Sequence, residues 1–407
     1  MAQDNYKTEV IDPGDRASQL AKEVCFKSHK NCPAVKIIAH QPGNFRGPVG
    51  FNWKPHILRA MAEGTEISWE LLEEIETDGA GGKPQFFALI GTPEVFHGLG
   101  WEVICMTADD FARSGRFPAI MNNTVDVKRV TEKNFHLVKA LFKGLGEALQ
   151  VAGLINITGE FAIMKHSVTA FCDTGEDGQL VLNWGASCLG LCHRDKLIDG
   201  SKIKPGMPIV GFEEDGYRCN GGTFFTNLIL VHWGPEIGKI LGNRAALEFA
   251  RKLTVPSVYY GKTLTRANGW NPDGSATDPI VKMAGIAHIT GGGIWAKFGE
   301  LLPEGVGAKL DKMPRPPEVL LEAQEISWNY PALKLTDLKA HGTLHGGCGM
   351  LVVCETEKDA KTLIEEAAKD GIRARRVGQT IESDTREILI QSRFKENRLL
   401  SSKELEK

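Results

Sequence analysis

Apolar positions recur at helical spacing most clearly between Thr131 and Val151, where Phe135, Val138, Phe142, Leu145 and Leu149 mark one face. Thr131 is a fitting N-cap and Gly153 a fitting stop. Arg16–Cys25 is a shorter amphipathic stretch, and Asn243–Leu253 is also helical. Short apolar runs predict strands at 34–39, 103–106, 154–157 and 209–212. Val168–Phe171 and Gln179–Leu182 read as a strand pair around a Gly/Asp-rich turn. Near the end, Met350–Cys354, Thr356–Asp370 and Ile372–Val377 read strand, helix, strand, with Thr356 and Gly371 as caps. The pattern predicts an α+β protein with mixed sheets and helices packed on one face. Residues 62–76 are acidic and helix-prone, 266–279 form a polar loop, and the highly charged last residues are expected to fray.

Composition narrows the class of function. The 407 residues carry a net charge of −3, so bulk charge points to neither nucleic acid nor an anionic membrane as partner. No apolar run approaches the ~20 residues of a membrane span, and Met1–Asp15 lacks an apolar signal core. A cytoplasmic protein is expected. Nine scattered cysteines, several in apolar runs, read as buried thiols rather than disulfides. Cys188, Cys192 and His193 lie close together but lack a second ligand pair at zinc spacing.

The chemistry concentrates in a few runs. Residues 285–293 read Gly-Ile-Ala-His-Ile-Thr-Gly-Gly-Gly. Three glycines suit a backbone that turns tightly and lies close to a ligand, with its N–H groups free to face an anion. A flexible loop is the plain alternative. Thr77-Asp78-Gly79-Ala80-Gly81-Gly82-Lys83 sets an acid inside a glycine-rich turn that ends in a cation, without P-loop spacing. The acid suits a metal and the lysine suits phosphate charge; a hairpin turn is the alternative. Asp109 and Asp110 follow the apolar run 103–106, where paired carboxylates call for solvent or a cation. Gly159 and Glu160 follow the run 154–157, and Glu160 taken alone reads as an exposed carboxylate.

Together these runs resemble the aminoimidazole ribonucleotide synthase family, the cyclo-ligases of purine biosynthesis. The Ala-His-Ile-Thr-Gly-Gly-Gly and Thr-Asp-Gly-x-Gly-x-Lys segments carry the likeness most specifically. Met106, Asp109, Asp110, Gly115 and Pro118 follow in the family's order, with Asp109 in place of Asn. Weaker matches are Gly47–Phe51, Gly216–Gly221 and Leu344–Met350, so the likeness covers roughly residues 6–380. Departures are Ile163 for a second Glu, Arg218 for His, Cys219 for Ser and His345 for Asn. The resemblance implies a two-domain fold, with residues 1–167 binding ATP and building a homodimer, an α+β domain at 168–385, and a charged tail at 386–407. It implies ATP-dependent closure of formylglycinamidine ribonucleotide to aminoimidazole ribonucleotide through phosphorylation of an amide oxygen. Asp78, Asp110 and Glu160 would hold Mg2+. Thr77, Gly79, Gly81, Lys83, Asp109, Gly159, Asn220 and Gly291, Gly292 and Gly293 would contact ATP. His288, Lys83 and Thr290 would serve catalysis, with His288 moving protons during ring closure; a satisfied core histidine is the alternative. The departures keep two further readings open. One is a related enzyme phosphorylating a different amide, carbamoyl or small-acid substrate. The other is a non-catalytic binding homologue.

Overall fold

The computed structural model describes residues 12–38, 50–52 and 72–406. The Gly47–Phe51 match and the 62–76 segment therefore lie largely outside the described residues, and the described end of the latter is strand rather than helix. Strands β1 (Lys36–Ile38) and β2 (Gly50–Asn52) pair antiparallel. Strands β3 (Leu72–Gly79), β4 (Phe117–Val127), β5 (Ile155–Ile163) and β6 (Leu182–Cys192) form one sheet in the order β3-β6-β4-β5, with β4 and β5 parallel. Seven later strands form a second sheet. They are β7 (Pro208–Glu213), β8 (Met283–His288), β9 (Val306–Leu310), β10 (Cys348–Cys354), β11 (Ala374–Glu382), β12 (Ile388–Gln391) and β13 (Leu399–Ser401), in the order β13-β12-β9-β11-β7-β10-β8. Its β9–β12 pair is parallel and the others antiparallel.

The mixed sheets and α+β class expected from the pattern are present. The smaller sheet is covered on one face by helices Pro13–Ser28, Glu102–Ala112 and Phe135–Ala152, whose buried apolar residues meet Met121, Val125, Phe161 and Trp184. The helix Phe135–Ala152 is capped at Asn134 and not by the Thr131 side chain, whose hydroxyl donates to the Asp177 carbonyl instead; it ends as expected at Gly153, in the left-handed region. The larger sheet is covered on both faces. Alternate residues of β10 divide: Leu351 and Val353 meet helix Gly293–Gly299, and Met350 and Val352 meet helices Gly261–Ala267 and Glu357–Lys369. A helical cluster around Phe86, Tyr217, Phe225 and Phe249 ties Pro84–Ile90 of the first half to the second.

Several sequence expectations are corrected. Val103–Met106 lies inside helix Glu102–Ala112, which is buried all round; an apolar run with no polar face carries no period to separate helix from strand. The stretch expected as a strand pair at 168–182 is irregular until β6 begins at Leu182, and β6 belongs to the smaller sheet, beyond residue 167. The tail does not fray. Ile388, Ile390 and Leu400 are buried in β12 and β13, and its charges pair as Arg398–Glu404 and Lys403–Glu387. Among the described residues no helix is long and apolar enough to cross a membrane. All nine cysteines are free thiols, eight of them buried.

Candidate active site

Three glycine-rich turns and one helix converge between the sheets. The 79–83 turn leaving β3 touches the 219–222 turn backbone to backbone. A Cβ on Gly81 would lie 3.3 Å from the Cys219 carbonyl, and one on Gly82 would lie 3.3 Å from Gly222 Cα. Asn220 Nδ2 donates to the Ile289 carbonyl at 3.0 Å, which joins the second turn to the end of β8. There Gly292 (φ +89°) caps helix Gly293–Gly299, and Gly293 (φ +61°) sits where a Cβ would come within 2.1 Å of the His341 carbonyl oxygen. Two of the three glycines are thus demanded by the fold. Gly291 is different: it is exposed and a Cβ there would meet open space.

Arg218 is the hub. It is fully buried and holds the left-handed φ of +58°, a strained state for a side-chain-bearing residue. One Nη donates to Asp109 Oδ2 and the other to Glu214 Oε2, each at 2.7 Å. Its Nε donates to His288 Nε2 at 2.9 Å, and further bonds reach the Cys105 and Val258 carbonyls. Asp109 Oδ1 accepts from the Tyr260 and Gly261 amides at 3.0 and 2.7 Å. Glu214 accepts from the Val258 amide and the Tyr260 hydroxyl. Every face of this cation is matched, which is what allows it to be buried.

His288 is held between Arg218 and Asp110. Its Nε2 accepts from Arg218, so Nδ1 carries the proton and donates to Asp110 Oδ1 at 2.8 Å. Burial and the Arg218 charge press its pKa down to about 4. The ring is therefore neutral and doubly engaged near neutral pH. It orients Asp110, and the expected proton-moving role does not fit this arrangement. Burial alone would raise Asp110, but the His288 bond with the Arg113 and Arg218 charges holds it below the usual carboxylate range. Burial and the Asp110 charge raise Asp78 instead. Burial also pushes Asp109 up, to about 7, against the pull of Arg218.

Lys83 points inward. Its Nζ donates to Glu102 Oε1 at 2.7 Å and to Ser257 Oγ at 3.2 Å, and both ends of the ion pair are fully buried. In this arrangement it balances Glu102, and its ammonium is spent inside the protein. Glu102, Cys105 and Asp109 share one face of their helix at i, i+3 and i+7, and together they grip the segment 257–261.

A magnesium site needs only one or two carboxylates beside phosphate oxygens. Asp78 spends one oxygen on the Gly79 amide at 2.7 Å, and Asp110 spends Oδ1 on His288 and Arg113. Each keeps its second oxygen, so the donor chemistry of the two acids fits the ion. Glu160 does not join them. It is exposed on β5, at the opposite edge of the sheet from β3, about 14 Å away at three strand spacings. Among the described residues no three His, Cys, Asp or Glu side chains gather as a metal cluster.

Residues 277–390 match the family described as AIR synthase related protein, C-terminal domain. The family match thus falls on the second half of the chain. The chain is 24% identical over 316 residues to a phosphoribosylformylglycinamidine cyclo-ligase of Bacillus cereus, covering 75% of this chain and 79% of that one. It is 25% identical over 323 residues to the cyclo-ligase of Thermoanaerobacter pseudethanolicus, covering 76% of this chain and 82% of that one. Its fold is similar to that of E. coli HypE, a hydrogenase maturation protein, at a TM-score of 0.51 and 13% identity, covering 92% and 93% of the two chains.

Within this fold, Asp109, Asp110 and His288 meet at Arg218, Asn220 and Thr290 adjoin the end of β8, and Asp78, Gly79, Gly81 and Gly291–Gly293 lie on the connecting turns. Thr77 bonds Ser187 on the neighbouring strand, and Gly159 lies with Glu160 on β5. Of the departures, Arg218, Cys219 and His345 adjoin the hub. His345 Nε2 donates to the Gly216 carbonyl and its Nδ1 accepts from the Gly347 amide. Ile163 lies apart, against Gly14. Glu102, Glu214, Ser257 and Tyr260 carry no motif that marks them in the sequence. For Glu102 the available signal is a charged residue inside the apolar run 101–106.

Proposed function

We propose that this chain is an ATP-dependent enzyme that phosphorylates an amide oxygen of a small substrate, with closure of formylglycinamidine ribonucleotide to aminoimidazole ribonucleotide as its reaction. The similarity to cyclo-ligases over three quarters of the chain carries this reading. An amide oxygen leaves poorly. Transfer of the γ-phosphoryl from ATP turns it into phosphate, and an amine of the same substrate then displaces it. Such chemistry needs positioning and charge neutralisation more than a protein nucleophile. Asp78 and Asp110 would hold Mg2+, which neutralises phosphate charge when bound. His288 fixes the Asp110 carboxylate. The Gly291–Gly293 turn would bring backbone amides to the phosphates, and Thr290 and Asn220 would line the same cleft. Residues up to about 167, together with β6, would form the ATP-binding and dimerising half, and residues to 385 the second half. A second copy of the chain would cover the face of the smaller sheet where Ile75 is 69% exposed.

A second reading changes the substrate. A family histidine is replaced by Arg218, whose donors are all spent inside the protein, so it cannot bind a substrate phosphate without breaking the hub. An enzyme for a different amide, carbamoyl or small acid would fit that change. Purified protein with ATP, magnesium and formylglycinamidine ribonucleotide decides between them. ADP formed in step with aminoimidazole ribonucleotide supports the first reading. ATP binding with no stimulation by that compound supports the second.

A further inference from the structure

Phosphoryl transfer gathers negative charge, and a cation aimed at that charge is a recurring part of such sites. Lys83, the lysine of the glycine-rich turn, does not supply it, because its ammonium is spent on Glu102 and Ser257. Two other cations act on Asp78. Burial raises that carboxyl most, and the Gly79 bond and the charges of Arg218 and Lys297 draw it back. Arg218 is locked, its donors taken by Asp109, Glu214, His288 and two carbonyls. Lys297 is not: among the described residues its ammonium makes no hydrogen bond and no salt bridge.

The fold sets Lys297 beside the triple glycine. It lies in helix Gly293–Gly299, which leaves directly from that turn. Gly293, Ile294, Trp295 and Phe298 anchor the helix in the core, while Lys297 is half-buried on its outer side. Helical side chains lean toward the helix N-terminus, so the Lys297 stem runs back toward the turn. Gly291 and Gly292 carry no side chain to stand between that stem and a ligand lying on the turn, and Gly291 faces open space. A half-buried ammonium with no acceptor gives up hydration without return, which a bound anion would restore.

We propose that Lys297 is a catalytic residue, whose ammonium binds the phosphates of ATP and neutralises the charge of the transferred group. This rests on the reading of the chain as an ATP-dependent enzyme. The substrate's amide oxygen bonds to the γ-phosphorus as the bond to the β,γ-bridging oxygen breaks, and ADP departs with that electron pair. Lys297 stays protonated throughout and contributes charge and hydrogen bonds only.

Calorimetric titration of ATP with magnesium into the full chain tests this, beside the melting temperature of the unliganded protein. Lys297→Met should bind ATP about tenfold or more weakly than wild type. Its unliganded melting temperature should match wild type, since the side chain makes no bond to lose. Lys297→Arg should recover most of the affinity, because it restores the charge. Wild-type ATP affinity in Lys297→Met overturns the assignment and leaves the enzyme reading intact. A matching loss in Lys297→Arg, or a large fall in the unliganded melting temperature of Lys297→Met, marks a structural role and also overturns it. A wild-type chain that does not bind ATP overturns the enzyme reading and this assignment together.

Discussion

Arg218 shows how one substituted residue reshapes a site. It sits at full burial between Asp109 and Glu214, so truncating it strands two carboxylates in the interior. Arg218→Ala should lower stability by about 3–5 kcal/mol, measured by urea unfolding, and should not appear as a simple rise in KM. The triple glycine allows a cleaner test of ligand approach. Gly293→Ala would press a methyl to 2.1 Å from the His341 carbonyl and should destabilise by about 1–3 kcal/mol. Gly291→Val meets open space and should leave the melting temperature nearly unchanged. If the turn approaches ATP, turnover should nonetheless fall by about a hundredfold or more, as a misplaced phosphate demands. Unchanged kinetics would return the turn to a plain loop.

Among the elements, the smaller sheet exposes Ile75, Asn122 and Thr124 on the face away from its helices, beside a patch buried under Val35 and Trp270. If a second copy covers this face, the wild type should sediment as a dimer and Ile75→Arg should shift it toward monomer; a wild-type monomer in sedimentation velocity would dismiss that reading outright. Strands β12 and β13 make a second test. Deleting residues 386–407 removes Ile390 and Leu400 from the core, and the protein should lose cooperative unfolding or aggregate. How far the elements are legible in the sequence depends on their surroundings. The helix 135–152 alternates between core and solvent, so its period is readable. The helix 102–112 touches protein on every side, so its sequence carries no stripe. The tail misleads for the opposite reason: its charges outnumber its apolar residues, but Ile388, Ile390 and Leu400 suffice for two short strands at one end of the sheet. At the site, local runs expose Asp78, Asp110 and His288. Glu102 and Glu214 stay hidden because their roles come from partners distant in sequence or buried in the fold, such as Ser257 and Arg218.

The whole molecule should be acid-sensitive in a definite direction. His288, His341 and His345 are buried and pressed to about 4. Their unfolded counterparts titrate near ~6.5, so below that pH the unfolded chain binds more protons. The stability these neutral rings contribute is full above pH ~6.5 and is lost as pH falls toward 4, at about 1.4 kcal/mol per pH unit for each ring. Asp109, raised to about 7, works in the opposite sense and offsets one ring over the same interval. The net slope should be on the order of 1–3 kcal/mol per pH unit between pH 6.5 and 4. Urea midpoints across that range check it; a flat profile would mean that the rings are charged in the native state.

The contact between Gly82 and Gly222 has a mechanical consequence. Two polypeptide backbones meet there with no side chains between them, 3.3 Å from the place a methyl would occupy. Side-chain contacts can slide and repack, whereas two touching main chains have nothing to yield. A methyl at Gly82 or Gly222 would have to part the two main chains, so either Ala substitution should lower the melting temperature although neither removes a side-chain bond.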